Sequence, residues 1–361
     1  MRRTAALIVG GGPAGAAAAI TLARGGAAAL VVERDAETRD HLCGGFVSWR
    51  TLETLSRLGL EAPRIGGHRI GKVRLFAGDK VVRARLPSPG IGVSRRRLDS
   101  LLLEEAEAAG AEVIRGIAVR EALPGAARLA DDSEIAAGAL FLATGKYELR
   151  GAKRAASPAT WMGLRYRYAL APPLAETLAS TIELHFFDGG YAGLLLQEDG
   201  TANLCMAVRR ERLAEAGSDP QAMLERLAAE TPSLSERLDQ TGDPVAHDAV
   251  GLVPYGWCAR QSETGLFRIG DQAAVIPSLA GEGIGIAIAS GILAARAYTQ
   301  GGPEAAPAYQ RAFARRARRP LAVAGRLMRM AENPRTAGAA MRLARMPGLV
   351  AFLGRLTRIA A

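Results

Sequence analysis

Residues 4–15 read Thr4-Ala5-Ala6-Leu7-Ile8-Val9-Gly10-Gly11-Gly12-Pro13-Ala14-Gly15. Ala5 to Val9 form a short, fully apolar run, the pattern of a strand covered on both faces. The glycine turn after it leads into an Ala-rich stretch to Arg24 that reads as a helix, and Leu30-Val31-Val32-Glu33 reads as the next strand. Strand, turn, helix and strand within about 30 residues make a βαβ unit. Gly10-x-Gly12-x-x-Gly15 then has the spacing of a dinucleotide fingerprint, with Glu33 at the end of the second strand. Gly10 permits the tight turn, Gly12 lets the backbone approach a pyrophosphate, and Gly15 allows close helix packing. The helix N-terminus adds partial positive charge beneath the anion. Glu33 can accept both hydroxyls of an adenosine ribose.

Around this unit the chain has 361 residues, more than the roughly 250 to 300 that one hydrophobic core covers, so two lobes are expected. Hydrophobic residues at 49% together with 42 glycines exclude a disordered or fibrous chain and fit an α/β protein. No apolar run reaches the roughly 18 residues of a membrane span. Met1-Arg2-Arg3 and the apolar residues after it imitate a signal peptide until the glycine motif continues them, so the expected location is cytoplasmic. Cys43, Cys205 and Cys258 are too few and too far apart for a disulfide framework or zinc site, and four scattered His offer no ligand spacing, so no metal is expected. Net charge is +10, but twelve Arg against Glu304 and Glu332 put that whole excess in residues 301–361. Those Arg alternate with Leu, Met, Val and Phe, and no nucleic-acid partner is expected.

Ser48 to Leu58 and Leu98 to Ala109 read as helices, Lys72 to Leu86 as a hairpin around Gly78-Asp79, and Ala111 to Arg115 and Leu140 to Ala143 as returning strands. Leu164 to Tyr168, Thr181 to Phe187 and Ala202 to Val208 alternate with period two, as antiparallel strands do. Pro220 to Gln240, residues 281–298 and the chain from 304 onward read as helical. The expected fold class is α/β. A Rossmann-like binding domain drawn from residues 1–66, 93–150 and 256–300 is interleaved with an antiparallel-sheet substrate domain from 67–92 and 151–255, and a basic helical segment, 301–361, follows.

A second motif is Arg268-Ile269-Gly270-Asp271, with Gly281-Glu282-Gly283-Ile284 opening an apolar helix ten residues further on. A Gly-Asp pair at a strand end offers one carboxylate to a polyol chain. Bare amides at the next helix start, with its dipole, suit the negative charge that a reduced flavin develops at its pyrimidine edge. Taken in order, Gly10 to Gly15 with Glu33, Cys43-Gly44-Gly45, Arg95-x-x-Leu98-Asp99, Ala143-Thr144-Gly145, Gly270-Asp271 and Gly281 to Ile284 with Ser290-Gly291 resemble the FAD-dependent geranylgeranyl reductase family. That family lies within the group that includes para-hydroxybenzoate hydroxylase and the flavin-dependent halogenases, and the match spans most of residues 5–300. The resemblance implies one FAD, with Glu33 at the adenosine ribose, Arg95 near the ribityl and phosphate region and Asp271 at the ribityl hydroxyls. Its other implied contacts are Gly10, Gly12, Pro13, Ala14, Gly15, Arg34, Cys43, Gly44, Ala118, Thr144, Gly145, Gly281, Glu282, Gly283 and Ile284. The halogenase Gly-x-Trp-x-x-Ile-Pro segment is missing, and the only lysines are Lys72, Lys80, Lys146 and Lys153, so halogenation is disfavoured.

Four side chains are catalytic candidates: Cys43, placed near the flavin by the resemblance, where a thiol could position or protonate a substrate carbon; Tyr191 and Tyr255, each beside glycine; and His185, in an alternating strand that turns it toward pocket or solvent. Cys205 reads as core. Leu194, Leu195, Leu196, Met206, Phe186 and Trp161 make an apolar pocket, so the expected partner is a hydrophobic small molecule. The expected function is an FAD-dependent oxidoreductase acting on an isoprenoid, lipid or polyketide-like substrate, by reduction or dehydrogenation of a carbon–carbon bond. The alternatives are a monooxygenase hydroxylating an apolar or aromatic substrate, and a flavin-binding electron carrier without turnover. No second glycine fingerprint exists, so electrons come from outside: NADPH, ferredoxin or reduced free flavin. Beyond Pro347, Leu349, Leu353, Leu356 and Ala360 recur at helical spacing with Phe352 beside them and Arg355 and Arg358 toward the other side. This reads either as a helix packed on the FAD lobe, which base rates favour slightly, or as a peripheral contact with the inner face of the membrane.

Overall fold

Leu7 and Ile8 are both fully buried because their strand is central in its sheet, Ile8 packing among apolar side chains of the helices that flank it and Leu7 in a second cluster with Ala127, Leu129, Leu149 and Ala152. The computed structural model describes residues 2–155 and 159–359; Met1, residues 156–158 and residues 360–361, Ala360 among them, lie outside it. The chain runs β1 (Arg2–Val9), α1 (Pro13–Arg24), β2 (Ala29–Glu33), β3 (Phe46–Val47), α2 (Trp49–Arg57), α3 (Ala62–Ile65), β4 (His68–Ala77), β5 (Lys80–Gly92) and α4 (Arg95–Ala108). It continues through β6 (Glu112–Arg115), β7 (Val119–Leu123), β8 (Ala126–Leu129), β9 (Glu134–Leu142), β10 (Trp161–Leu170), α5 (Pro172–Leu178), β11 (Thr181–Phe187), β12 (Gly190–Leu196) and β13 (Ala202–Arg209). Then come α6 (Arg210–Glu215), α7 (Pro220–Glu230), α8 (Pro232–Leu238), β14 (Thr241–Val253), β15 (Leu266–Arg268), α9 (Gly283–Gly301), α10 (Ala306–Ala331), α11 (Pro334–Ala344) and α12 (Leu349–Leu356).

The first sheet has the order β6-β2-β1-β9, with β15 beside the C-terminal half of β9 and the β8-β7 hairpin beside its N-terminal half. β6, β2, β1, β9 and β15 are mutually parallel. A parallel sheet that changes direction next to β1 opens a crevice at its strand C-termini, and both glycine motifs lie there. α1 crosses α9 so closely that a Cβ at Gly291 would come within 2.2 Å of the Ala14 carbonyl oxygen. This is the structural reason for glycine after Ser290, whose Oγ accepts from the Gly270 amide at 2.7 Å.

The second sheet has the order β14-β10-β13-β12-β11-β4-β5-β3. It is antiparallel except at one seam, where β11 pairs with β4 in parallel from Thr181/Lys72 to Phe186/Ala77. The hairpin of residues 68–92 therefore completes the sheet that residues 161–253 build. One face packs on α5 to α8; the other faces the crevice.

Candidate active site

The glycine positions separate by what they touch. Gly10 has φ +105°, and a Cβ there would lie 2.6 Å from the Ala143 carbonyl oxygen; a Cβ at Gly15 would lie 1.9 Å from that of Gly10. These two serve the chain itself. Gly12, the N-cap of α1, has an ordinary φ of −66°, and its missing Cβ would meet nothing nearer than Arg95 Nη2 at 3.4 Å. The protein has no need of glycine there, whereas a ligand lying on the α1 amides does. Arg95 is fixed by Asp99 through a two-pronged ion pair of 2.8 and 2.6 Å. Burial pulls its pKa down, but the Asp99 carboxylate outweighs this and the net shift is upward, keeping a permanent cation beside the α1 N-terminus. Glu33 is aligned by the Gly11 and Asp35 amides at 2.6 and 3.0 Å. Asp271 borders the crevice near enough to Arg95 to feel its charge, and among the described residues its carboxylate makes no hydrogen bond or ion pair. An anion cradle, an aligned acceptor and an unpaired carboxylate along one crevice fit a dinucleotide with a polyol arm.

Pro13, Ala14, Cys43, Gly44, Gly145, Gly281, Gly283 and Ile284 border the same cavity, of about 790 Å³. Arg34 lies outside it, stacked 4.0 Å from the Tyr147 ring centroid, and Thr144 Oγ1 donates to the Tyr147 carbonyl at 2.7 Å. Ala118 stands next to Ile117, whose amide bonds the Glu33 carbonyl at 3.3 Å, at the adenosine end. Glu282 also borders the cavity, and its buried carboxylate accepts from Arg358 at 2.7 Å, Ser48 Oγ at 3.2 Å and the Ile359 amide at 3.4 Å. The carboxylate thereby ties the C-terminal segment to the loop.

Of the catalytic candidates, three reach the cavity and one does not. Cys43 borders it on a loop that Asn203 Nδ2 straps by donating to the carbonyls of Cys43 and Gly44 at 3.1 and 3.0 Å. The loop is pinned upstream by Arg165, which is buried and paired with Asp40 at 3.1 Å and with Asp248. Tyr191 and Tyr255 both reach Ser278 Oγ, at 2.8 and 2.7 Å, and burial raises both phenol pKa values, so both stay protonated. His185 is on the opposite face of β11, because period two that sends Leu184 and Phe186 to the cavity sends His185 away. It faces neither pocket nor solvent: it stacks on Phe76 with ring centroids 4.6 Å apart and bonds Ser233 Oγ at 2.8 Å. The same rule corrects the pocket. Leu195 borders it, as do Phe186 and Met206, while Leu194 and Leu196 pack in the core under α5 to α8 and Trp161 lies behind Tyr255. Cys205, expected as core, borders the cavity, its thiol pushed up to about 12 by burial and by Cys43.

Sequence reasoning missed Ser278, Asn203, Lys146 and the helices α10 to α12 as parts of this site. Lys146 carried a signal, since it directly follows Ala143-Thr144-Gly145, and it borders the cavity. Val323, Leu327, Met330, Met341, Leu349 and Leu353, on α10 to α12, close the cavity opposite the sheet. Among the described residues no group of three His, Cys, Asp or Glu could hold a metal ion.

Residues 3–148 match the FAD binding domain family. The chain thus carries an FAD-binding domain, and FAD is its cofactor. Its fold as a whole is shared with a flavin-dependent brominase, Bmp2, at 17% identity over 98% of this chain and 93% of that one, with TM-score 0.79. PqsL of P. aeruginosa, solved with 2-aminobenzoylacetate, superposes with TM-score 0.74 at 19% identity over 94% and 100%. A geranylgeranyl bacteriochlorophyll reductase-like protein of Thermoplasma acidophilum does so with TM-score 0.71 at 18% identity over 100% and 94%. No curated protein matches the chain by sequence. At these identities the likeness is one of fold.

Proposed function

We propose that the protein is an FAD-dependent oxidoreductase that reduces a carbon–carbon double bond in an apolar, isoprenoid or lipid-like molecule. One observation carries this reading: beyond the cofactor cradle the cavity is walled mainly by apolar side chains from the sheet and from α10 to α12, and two neutral phenols that share one serine stand in it as candidate proton donors. FAD, when bound and reduced by an external two-electron donor, would supply the hydride and be left oxidised. Gly12 and the α1 amides with Arg95 would hold its pyrophosphate, Glu33 its adenosine ribose and Asp271 its ribityl arm. Saturating an alkene needs a hydride on one carbon and a proton on the other. Tyr255 can give that proton, with Ser278 and Tyr191 hydrogen-bonding the phenolate until water reprotonates it after the product has left, and the apolar wall keeps water from competing during the transfer. The hydroxylase reading draws support from PqsL, called a probable FAD-dependent monooxygenase, whose fold this chain shares.

The test is turnover of a polyprenyl alkene by the chemically reduced holo-protein without oxygen. Saturated product is expected, with Tyr255→Phe slowing its formation about a hundredfold or more, the usual weight of a positioned general acid. If turnover needs dioxygen and labelled oxygen enters the product, the enzyme is the hydroxylase instead.

A further inference from the structure

Among the described residues six large apolar side chains are exposed, and three of them, Leu343 (52%), Met346 (57%) and Phe352 (54%), fall within ten residues at the corner joining α11 to α12. Leu343 also borders the cavity, as do Leu349 and Val350 on the other side of the corner. The apolar lining therefore continues out through this corner to the surface, and the corner is a mouth. Its charge is one-sided. Arg342, Arg345 and Arg355 are exposed and have no ion pair among the described residues, and residues 333–361 contain no Asp or Glu.

We infer that the α11–α12 corner docks on an anionic lipid bilayer, inserting Met346 and Phe352 among the headgroups with Arg342, Arg345 and Arg355 on the lipid phosphates, so that the cavity opens toward the membrane. An apolar tip ringed by unpaired Arg is complementary to an apolar interior beneath a negative surface; a second copy of this corner would bring cations against cations. The contact differs from the one the periodicity of residues 349–360 suggests, because Leu349, Leu353 and Leu356 are committed to the cavity wall. No helix of the described residues is long and apolar enough to cross a membrane, so the contact is peripheral. The idea rests on the apolar-substrate reading only for what passes through the mouth.

The full-length holo-protein is sedimented with vesicles of phosphatidylcholine alone and of phosphatidylcholine with phosphatidylglycerol. Binding is expected to the mixed vesicles only and to weaken with salt. Met346→Glu/Phe352→Glu and Arg342→Glu/Arg345→Glu should each weaken it about tenfold or more, with FAD content and melting temperature unchanged. Absence of binding, equal binding to neutral vesicles, or variants that sediment like the parent would overturn the proposal. So would a lipid-free protein that is dimeric and becomes monomeric in the Met346/Phe352 variant, which would make the corner an interface between copies. The assay needs no turnover: docking without alkene reduction would defeat the reductase reading alone, and reduction without docking would defeat this one alone.

Discussion

Gly12 and Gly15 stand three residues apart in one turn and answer to different constraints. Gly15 is required by the Gly10 carbonyl against which it packs; Gly12 has room for a side chain that would stand in the cradle over the α1 amides. Gly12→Val should therefore fold, melt close to the FAD-free parent and be colourless, while Gly15→Val should not accumulate as folded protein. Asp271→Ala tests the other end of the same ligand: losing a charge-assisted hydrogen bond of roughly 1.5 to 3 kcal/mol weakens FAD retention by about tenfold or more, whereas Asp239→Ala on an exposed helix end retains it. The yield of soluble protein reads Gly15→Val, and flavin absorbance after gel filtration reads the other three variants. A yellow Gly12→Val protein, or equal retention by the two Asp variants, would remove the basis for the cradle.

Within β11 the alternation that lines the cavity also builds a polar cluster on its other side, where Glu183 accepts from Arg74 at 2.6 Å and Arg237 at 2.8 Å beside His185. Burial alone would raise the Glu183 pKa; the His185 and Arg237 hydrogen bonds and charges outweigh it and hold it at about 2, below its ordinary 4.5. A depressed carboxylate stabilises the fold above the unfolded pKa and loses that contribution as pH falls through the folded one. Glu183→Gln should thus cost about 3 kcal/mol at neutral pH, as when one partner of a buried pair is removed, with the gap to the parent closing between pH 4.5 and about 2. Denaturant melts across that range check it, and a pH-independent gap would mean that packing, not charge, is lost. None of this cluster was legible in the sequence, because alternation assigns His185 to a face without saying what covers that face. The βαβ unit and the hairpin of residues 68–92 were legible, since each is a local pattern with its own turn glycines. β14 was not: Thr241 to Val253 holds Gly, Asp and Pro and is largely exposed, and it is a strand only because β10 pairs with it through several register shifts. Asn203, Ser278 and Arg165 were invisible for a related reason, being ordinary polar residues whose roles come from loops far away in the chain.

The C-terminal segment is tied through Arg358 to the loop before α9 and to α2, both at the cavity. This side chain donates to Glu282 and to the carbonyls of Ala280 and Gly281, at 2.7, 2.8 and 3.3 Å, and lies 4.9 Å from the Trp49 ring centroid. Helical periodicity in residues 349–360 announces an apolar face but not its partner, and the basic composition points away from a buried role for any of these Arg. Arg358→Met keeps the length of the side chain and removes the charge, leaving Glu282 enclosed with only Ser48 and the Ile359 amide. Breaking a buried pair on one side costs about 3 to 5 kcal/mol, so the variant should melt lower and hold FAD more weakly, through the loop that precedes α9. Burial already raises the Glu282 pKa against the pull of Arg358, and without Arg358 it rises further. A carboxyl favoured in its neutral form is least harmful at low pH, so the deficit of Arg358→Met should be largest at neutral pH and shrink as pH falls toward the ordinary carboxylate range. Glu282→Gln/Arg358→Met, with no charge left to bury, should recover most of the lost stability. A double variant as unstable as the single one would show that the C-terminal segment is held by its apolar contacts and that the ion pair is incidental.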